Sequence, residues 1–216
     1  MDGLMIPLWS LAIIFFMVAF AYSSVGLGGG SSYTALMAIA GLSILVIPSI
    51  SLILNLVVTF VGSYHFVKQR HLNVSLLLPF LASSIPMSFI GGSLHLDPQI
   101  FQYILLFSLV LIAARIYLWD SLSLDVDLTN NQRIIVSLIL GAILGLIAGI
   151  VGIGGGIYLV PLIIVLNLGT VKQAAACAVI FVFINSLSAL LAKFAFHDIP
   201  IMSFWPLIIA VFLGGF

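Results

Sequence analysis

Stretches without a single charged side chain run through this sequence at 3–67, 71–96, 98–114, 134–171, 173–192 and 199–216. A helix needs roughly 20 apolar residues to cross the hydrocarbon layer, so runs of this length hold several crossings. A transmembrane barrel would instead alternate in segments of about ten residues, a pattern the sequence lacks. Only 6% of the 216 residues are charged, against about a quarter in a soluble domain. The chain reads as an all-α, polytopic membrane protein.

Six Lys or Arg and six acidic residues, all of them Asp, cancel, so there is no basic face for nucleic acid. The single cysteine, Cys177, excludes an intramolecular disulfide and a cysteine-built metal site. The apolar N-terminal stretch begins with Asp2 rather than a basic segment and has no small-x-small cleavage site. It reads as a first helix, not as a signal peptide.

An internal repeat organises the rest. Val25-Gly26-Leu27-Gly28-Gly29-Gly30 recurs as Val151-Gly152-Ile153-Gly154-Gly155-Gly156. Downstream, Asn55 pairs with Asn185, and Gly91-Gly92 with Gly214-Gly215. The expected organisation is a first transmembrane repeat over 1–119, a polar cytoplasmic linker over 120–133, and a second repeat over 134–216. Helices are expected at 4–25, 31–46, 49–67, 76–91 and 100–118, then at 134–151, 157–167, 172–194 and 201–214. The second half has no counterpart of the fifth helix, which predicts that a full-length protein carries about 30 to 40 further residues, with a naturally shorter variant as the alternative.

If the glycine-broken hairpin of each half enters and returns, an odd number of crossings remains and the second half is inverted relative to the first. With the N-terminus outside, Lys68, Arg70, Arg115, Arg133 and Lys172 fall inside and Lys193 outside, as the positive-inside rule asks. Two inverted repeats, each with a broken helix hairpin, form a common transporter plan with the substrate near the midplane.

The glycine clusters do not fit a nucleotide-binding turn. Ser31 stands where G-x-G-x-x-G needs glycine, and an apolar helix rather than a strand precedes it. Three adjacent glycines cost a helix about 1 kcal/mol each relative to Ala, so they read as a break. Backbone freed inside a membrane must be satisfied by protein or by a water-filled cavity. The first amides of the helix after each break, around Ser31 and Ser32 in one half and Ile157 and Tyr158 in the other, have no partner in their own helix. Each such end carries about half a positive charge and holds anions well. Two of them meeting would give about one unit of positive potential without a buried Lys or Arg. Close helix packing is the alternative reading of glycine, and it suits Gly141, Gly145 and Gly149. Asn55 and Asn185 either bond neighbouring helices or line an anion path.

These residues resemble the TauE/SafE sulfite exporter family. The resemblance rests on the duplicated GxGGG, Pro161 after the second copy, the small-residue run ending in the Asn185 helix, and the Gly-Gly closing the next helix. Ala35 stands in the first copy where Pro161 stands in the second. The resemblance implies a bacterial-type inner-membrane protein that exports sulfite or organosulfonates such as sulfoacetate. It also places Cys177 at a position that resembles a family Thr or Ser. The expected substrate-binding set is Gly28, Gly29, Gly30, Ser31, Ser32, Asn55, Gly154, Gly155, Gly156, Tyr158, Cys177 and Asn185. No cofactor and no metal are expected. The partners are a small anion, the lipid bilayer and, where the protein dimerises, a second copy of the chain.

No Glu exists, and His65, His95 and His197 lie near predicted span ends, so nothing marks a carboxylate proton relay. A negative-inside potential adds about 2.3 kcal/mol per 100 mV to outward movement of a monoanion, roughly fifty-fold. Export by alternating access is the expected function, with an anion channel or a proton-coupled sulfonate uptake permease as alternatives. An enzyme would want convergent catalytic side chains, and neither H-E-x-x-H nor G-x-S-x-G occurs.

Overall fold

A computed structural model describes residues 7–25, 28–118, 129–196 and 204–215. Gly26, most of the predicted linker, His197 and Asp198 lie outside the described residues. The described chain is helical: α1 (Leu8–Val25), α2 (Gly30–Ile39), α3 (Ile47–Lys68), α4 (Val74–Ser93), α5 (Pro98–Leu118), α6 (Asn130–Val151), α7 (Gly156–Val165), α8 (Val171–Phe196) and α9 (Trp205–Gly215). By length and composition α3, α4, α6 and α8 are long and apolar enough to cross a membrane. The ten-residue helices α2 and α7 reach only about 15 Å at 1.5 Å per residue, half the thickness of a hydrocarbon core of about 30 Å.

Two expected boundaries were too long. The helix expected over 31–46 ends at Ile39, because Gly41 takes a left-handed conformation (φ 81°) and Leu42 N bonds the Met37 carbonyl at 3.0 Å. The helix expected over 157–167 ends at Val165 in the same way, with Asn167 at φ 50° and Leu168 N on the Ile163 carbonyl at 2.9 Å. Both are Schellman-type stops, in which a left-handed residue lets the next amide reach back to an orphaned carbonyl. Apolar continuity had hidden them.

The bundle is apolar on its surface, and its apolar interior is interrupted by buried polar side chains. Ile13, Phe60, Leu78, Tyr103, Leu106, Ile139 and Leu191 are exposed, whereas Ser51, Asn55, Thr59, Ser84, Ser88, Asn185 and Ser186 are buried. Lipid tails are as apolar as Leu, so helices in a bilayer associate through close packing and hydrogen bonds. The glycine face of α6 shows this packing. A Cβ on Gly141 would meet the Phe80 carbonyl, one on Gly145 that of Ser84, and one on Gly149 that of Ser88, all on α4. The rising numbers on both sides make α4 and α6 parallel neighbours.

Helix contacts recur when the halves are exchanged. α4 packs on α6 as α9 packs on α1, α4 on α8 as α9 on α3, and α7 on α8 as α2 on α3, while α3 and α8 pack on each other. The glycine pairs follow suit. Gly91 abuts the Leu146 carbonyl of α6 and Gly214 the Phe16 carbonyl of α1; Gly92 abuts Ala189 of α8 and Gly215 abuts Val58 of α3.

Candidate functional site

Both glycine clusters are turns that precede a half-length helix. Gly29 (φ 74°) is the N-cap of α2 and Gly155 (φ 80°) that of α7, both left-handed and neither capped by a side chain. That conformation costs a residue with a Cβ roughly 1–2 kcal/mol, so these two positions require glycine. Among the described residues no acceptor meets the amides of Gly30, Ser31 and Ser32, nor those of Gly156 and Ile157. Orphan N–H groups at an uncapped helix start carry the positive end of the dipole.

The turns come together across α3 and α8. A Cβ on Gly28 would meet Val182 at 2.9 Å and Asn55 Oδ1 at 3.1 Å, and one on Gly154 would meet Val182 at 2.7 Å and Asn55 Nδ2 at 3.1 Å. One on Gly30 would stand 2.5 Å from Asn55 Nδ2 and 2.6 Å from the Ile153 carbonyl of the other turn. Asn55 and Val182 therefore sit between the two breaks.

Hydrogen bonds from α3 hold the turns. Asn55 Nδ2 donates to the Gly152 carbonyl at 3.1 Å, and Ser51 Oγ donates to the same carbonyl at 2.9 Å. Ser51 Oγ also stands 3.2 Å from the Gly30 carbonyl, to which Thr34 Oγ1 donates at 2.7 Å. Thr34 and Ser51 are 2.9 Å apart. Each hydroxyl has one proton, so the two protons cover the two turn carbonyls, with Thr34 on Gly30 and Ser51 on Gly152. Thr59 Oγ1 donates to the Asn55 carbonyl at 2.6 Å.

Three polar atoms beside the turns are buried without a partner: Asn55 Oδ1, Ser186 Oγ and Tyr33 Oη. Ser186 lies 3.3 Å from the Cβ position of Gly154, and Tyr33 Oη lies 3.0 Å from that of Gly29. Buried polar groups are nearly always bonded, so the unspent donors and acceptors beside the two glycine turns make up the polar part of the candidate site. No charged side chain belongs to either turn, and among the described residues no group of three or more His, Cys, Asp or Glu could hold a metal.

Gly28, Gly29, Gly30, Asn55, Gly154, Gly155 and Gly156 are thus brought together, with Ser31 buried beside them. Asn185 lies on α8, its Nδ2 on the Phe181 carbonyl at 2.9 Å and its own carbonyl taken by Ser88 at 2.8 Å. Ser32 turns to Tyr22, hydroxyl to hydroxyl at 2.8 Å. The Tyr158 hydroxyl points away to the Ser108 carbonyl of α5 at 2.8 Å. Cys177 lies in a separate apolar cluster with Leu77, Phe80 and Phe181, its Sγ 3.7 Å from the Asn73 carbonyl. Sequence reasoning passed over Thr34, Ser51, Thr59 and Ser186. The signal for two of them was present: Ser51, Asn55 and Thr59 are spaced by four and share one face of α3.

A multi-pass bundle whose apolar core is interrupted by two uncapped half-length helices is built as a membrane transporter. The chain belongs to the TauE/SafE sulfite exporter family, whose sequence pattern, described as "Sulfite exporter TauE/SafE", matches residues 11–216. It is 36% identical to a probable membrane transporter protein of Sinorhizobium fredii over 95% of this chain and 84% of that one. It is 26% identical to a probable membrane transporter protein of Methanocaldococcus jannaschii over 88% of this chain and 72% of that one. The family and these relatives are described as transporters, not as enzymes. No solved structure matches the chain significantly.

Proposed function

We propose that this protein exports a small sulfur oxyanion, sulfite or an organosulfonate such as sulfoacetate, by alternating access at the two glycine turns. The carrying observation is the convergence of two uncapped helix starts on Asn55, inside a shell without charged side chains. Helix dipole ends and free amides favour an anion there. A buried Lys or Arg would bind it more tightly, and conduction requires release as well as entry.

The reading extends to the arrangement of the halves. Residues 1–119 and 134–216 form inverted repeats joined by a cytoplasmic linker, supported by helix contacts that recur on exchange of the halves. The start of α4, the start of α6 and the loop before α8 share one end of the bundle, as Asn73, Asn130, Arg133 and Leu168 around one cavity attest. That end faces the cytoplasm of a bacterial-type inner membrane, and the N-terminus lies outside, consistent with the bias of basic residues. The negative-inside potential then drives export, about 2.3 kcal/mol per 100 mV for a monoanion.

Proteoliposomes loaded in turn with sulfite, sulfoacetate, sulfate and a small carboxylate test this. Efflux of a sulfur oxyanion that rises with imposed potential is expected, and Gly29→Leu and Gly155→Leu should abolish it in protein that still inserts. Efflux indifferent to potential yet following a pH gradient would refute potential-driven export. Conductance far above carrier turnover in a planar bilayer would make the protein a channel.

A further inference from the structure

Among the residues whose burial is described, Lys193 is the one buried charged side chain, 6% exposed near the end of α8. Its single polar contact there is the Gly92 carbonyl, with Nζ at 3.5 Å. That is long for a hydrogen bond, and an ammonium has three donors. A lysine capping the last carbonyls of α4 is the ordinary reading, but it uses one donor weakly and leaves two unspent. Charges inside a membrane protein are otherwise paired, or they mark an ion path.

Lys193 lines a cavity of about 100 Å³ with Pro48, Gly91, Leu94, His95 and Ile150. One water needs only about 10–15 Å³ of such space, so a small oxyanion or several waters have room. Leu94 and His95 at its rim are exposed, while Pro48, Gly91 and Ile150 at its floor are buried. The floor adjoins the second glycine turn, because the Pro48 carbonyl lies 2.5 Å from the Cβ position of Gly152. Asp97, at the start of α5, accepts from Gln99 N at 2.9 Å through Oδ1. His95 Nε2 stands 3.1 Å from the Phe196 carbonyl.

We propose that this cavity is an oxyanion-docking vestibule, in which Lys193 receives an anion at one end of the bundle on its way between solvent and the second glycine turn. The mostly apolar walls weaken screening and strengthen the attraction. A free sulfur oxyanion and the phosphate of an anionic lipid headgroup share the chemistry that Lys193 recognises. Naming the free anion rests on the transport reading above; the site itself does not.

Purified protein in nanodiscs of phosphatidylcholine alone, and in discs containing phosphatidylglycerol, tests the proposal by equilibrium binding of radiolabelled sulfite. Lys193→Gln should weaken binding about tenfold or more, as expected for losing a charged hydrogen-bond partner in a buried site. Lys193→Arg should retain it. Competition by phosphatidylglycerol that Lys193→Gln removes would make the lipid phosphate an occupant. In proteoliposomes, with sulfite presented at the face that carries Lys193, Lys193→Gln should raise the half-saturating sulfite concentration and leave the maximal rate unchanged. If Lys193→Gln binds sulfite and lipid like the wild type and only melts earlier, Lys193 is a helix cap and the vestibule is refuted. If the wild type carries no sulfur oxyanion but Lys193→Gln still abolishes binding, the transport reading fails and the vestibule stands.

Discussion

The Gly152 carbonyl receives two donors from α3, and that double coverage has a measurable signature. Ser51 Oγ reaches it at 2.9 Å and Asn55 Nδ2 at 3.1 Å, both side chains fully buried. Removing either donor leaves the other in place, so each single substitution, Ser51→Ala or Asn55→Ala, costs about 1 kcal/mol of hydrogen bonding. Asn55→Ala also opens a cavity, but that contribution is common to the single and double variants and cancels in the cycle. In the double variant the carbonyl is orphaned inside the bundle, where an unmet acceptor costs about 1–3 kcal/mol. Coupling energies between polar groups in membrane helices average about 0.6 and reach about 1.7 kcal/mol. The double variant should therefore exceed the sum of the singles by about 1 kcal/mol, roughly a fivefold change in unfolding constant. Reversible unfolding of the purified protein in mixed micelles, titrated with sodium dodecyl sulfate, measures all four corners. Additivity within about 0.3 kcal/mol would refute the reasoning. Either water reaches the carbonyl, or α3 does not hold the second turn.

Two further outcomes follow from packing. Gly149→Val should cost about 1–3 kcal/mol or more by overpacking, because its Cβ would overlap the Ser88 carbonyl and come within 2.8 Å of Gly92 N. Gly62→Ala, whose Cβ meets only the two Val179 methyls, at 3.2 and 3.9 Å, should shift stability by less than about 1 kcal/mol; melting temperature and monodisperse yield in detergent check both. Cys177→Ala should leave the half-saturating anion concentration unchanged and cost about 1 kcal/mol of stability for lost apolar burial. A several-fold rise in that concentration would instead put Cys177 at the site.

Much of the architecture was legible because a bilayer leaves few choices. Backbone groups in lipid must be satisfied internally, so charge-free runs become helices, and glycine clusters inside such runs become breaks. The same physics hid the ends of α2 and α7. The stops at Gly41 and Asn167 are left-handed caps that hydropathy does not register. The site was half legible. The repeat pointed to the glycines and to the two asparagines, but Ser51 and Thr34 look like ordinary helix residues until α2 and α3 pack and their hydroxyls cover the turn carbonyls.

By itself the sequence determined that the chain is a helical membrane protein and that each glycine cluster interrupts a span. Charge spacing and glycine's conformational freedom are local properties, written residue by residue. Only tertiary structure decided which groups meet. Asn55 of the first half bonds Gly152 of the second, Tyr158 and Cys177 turn away from the turns, and Lys193 is buried beside a cavity that adjoins Pro48. These meetings join residues 50 or more positions apart, and they depend on how α3, α4, α6 and α8 pack, which no local pattern encodes.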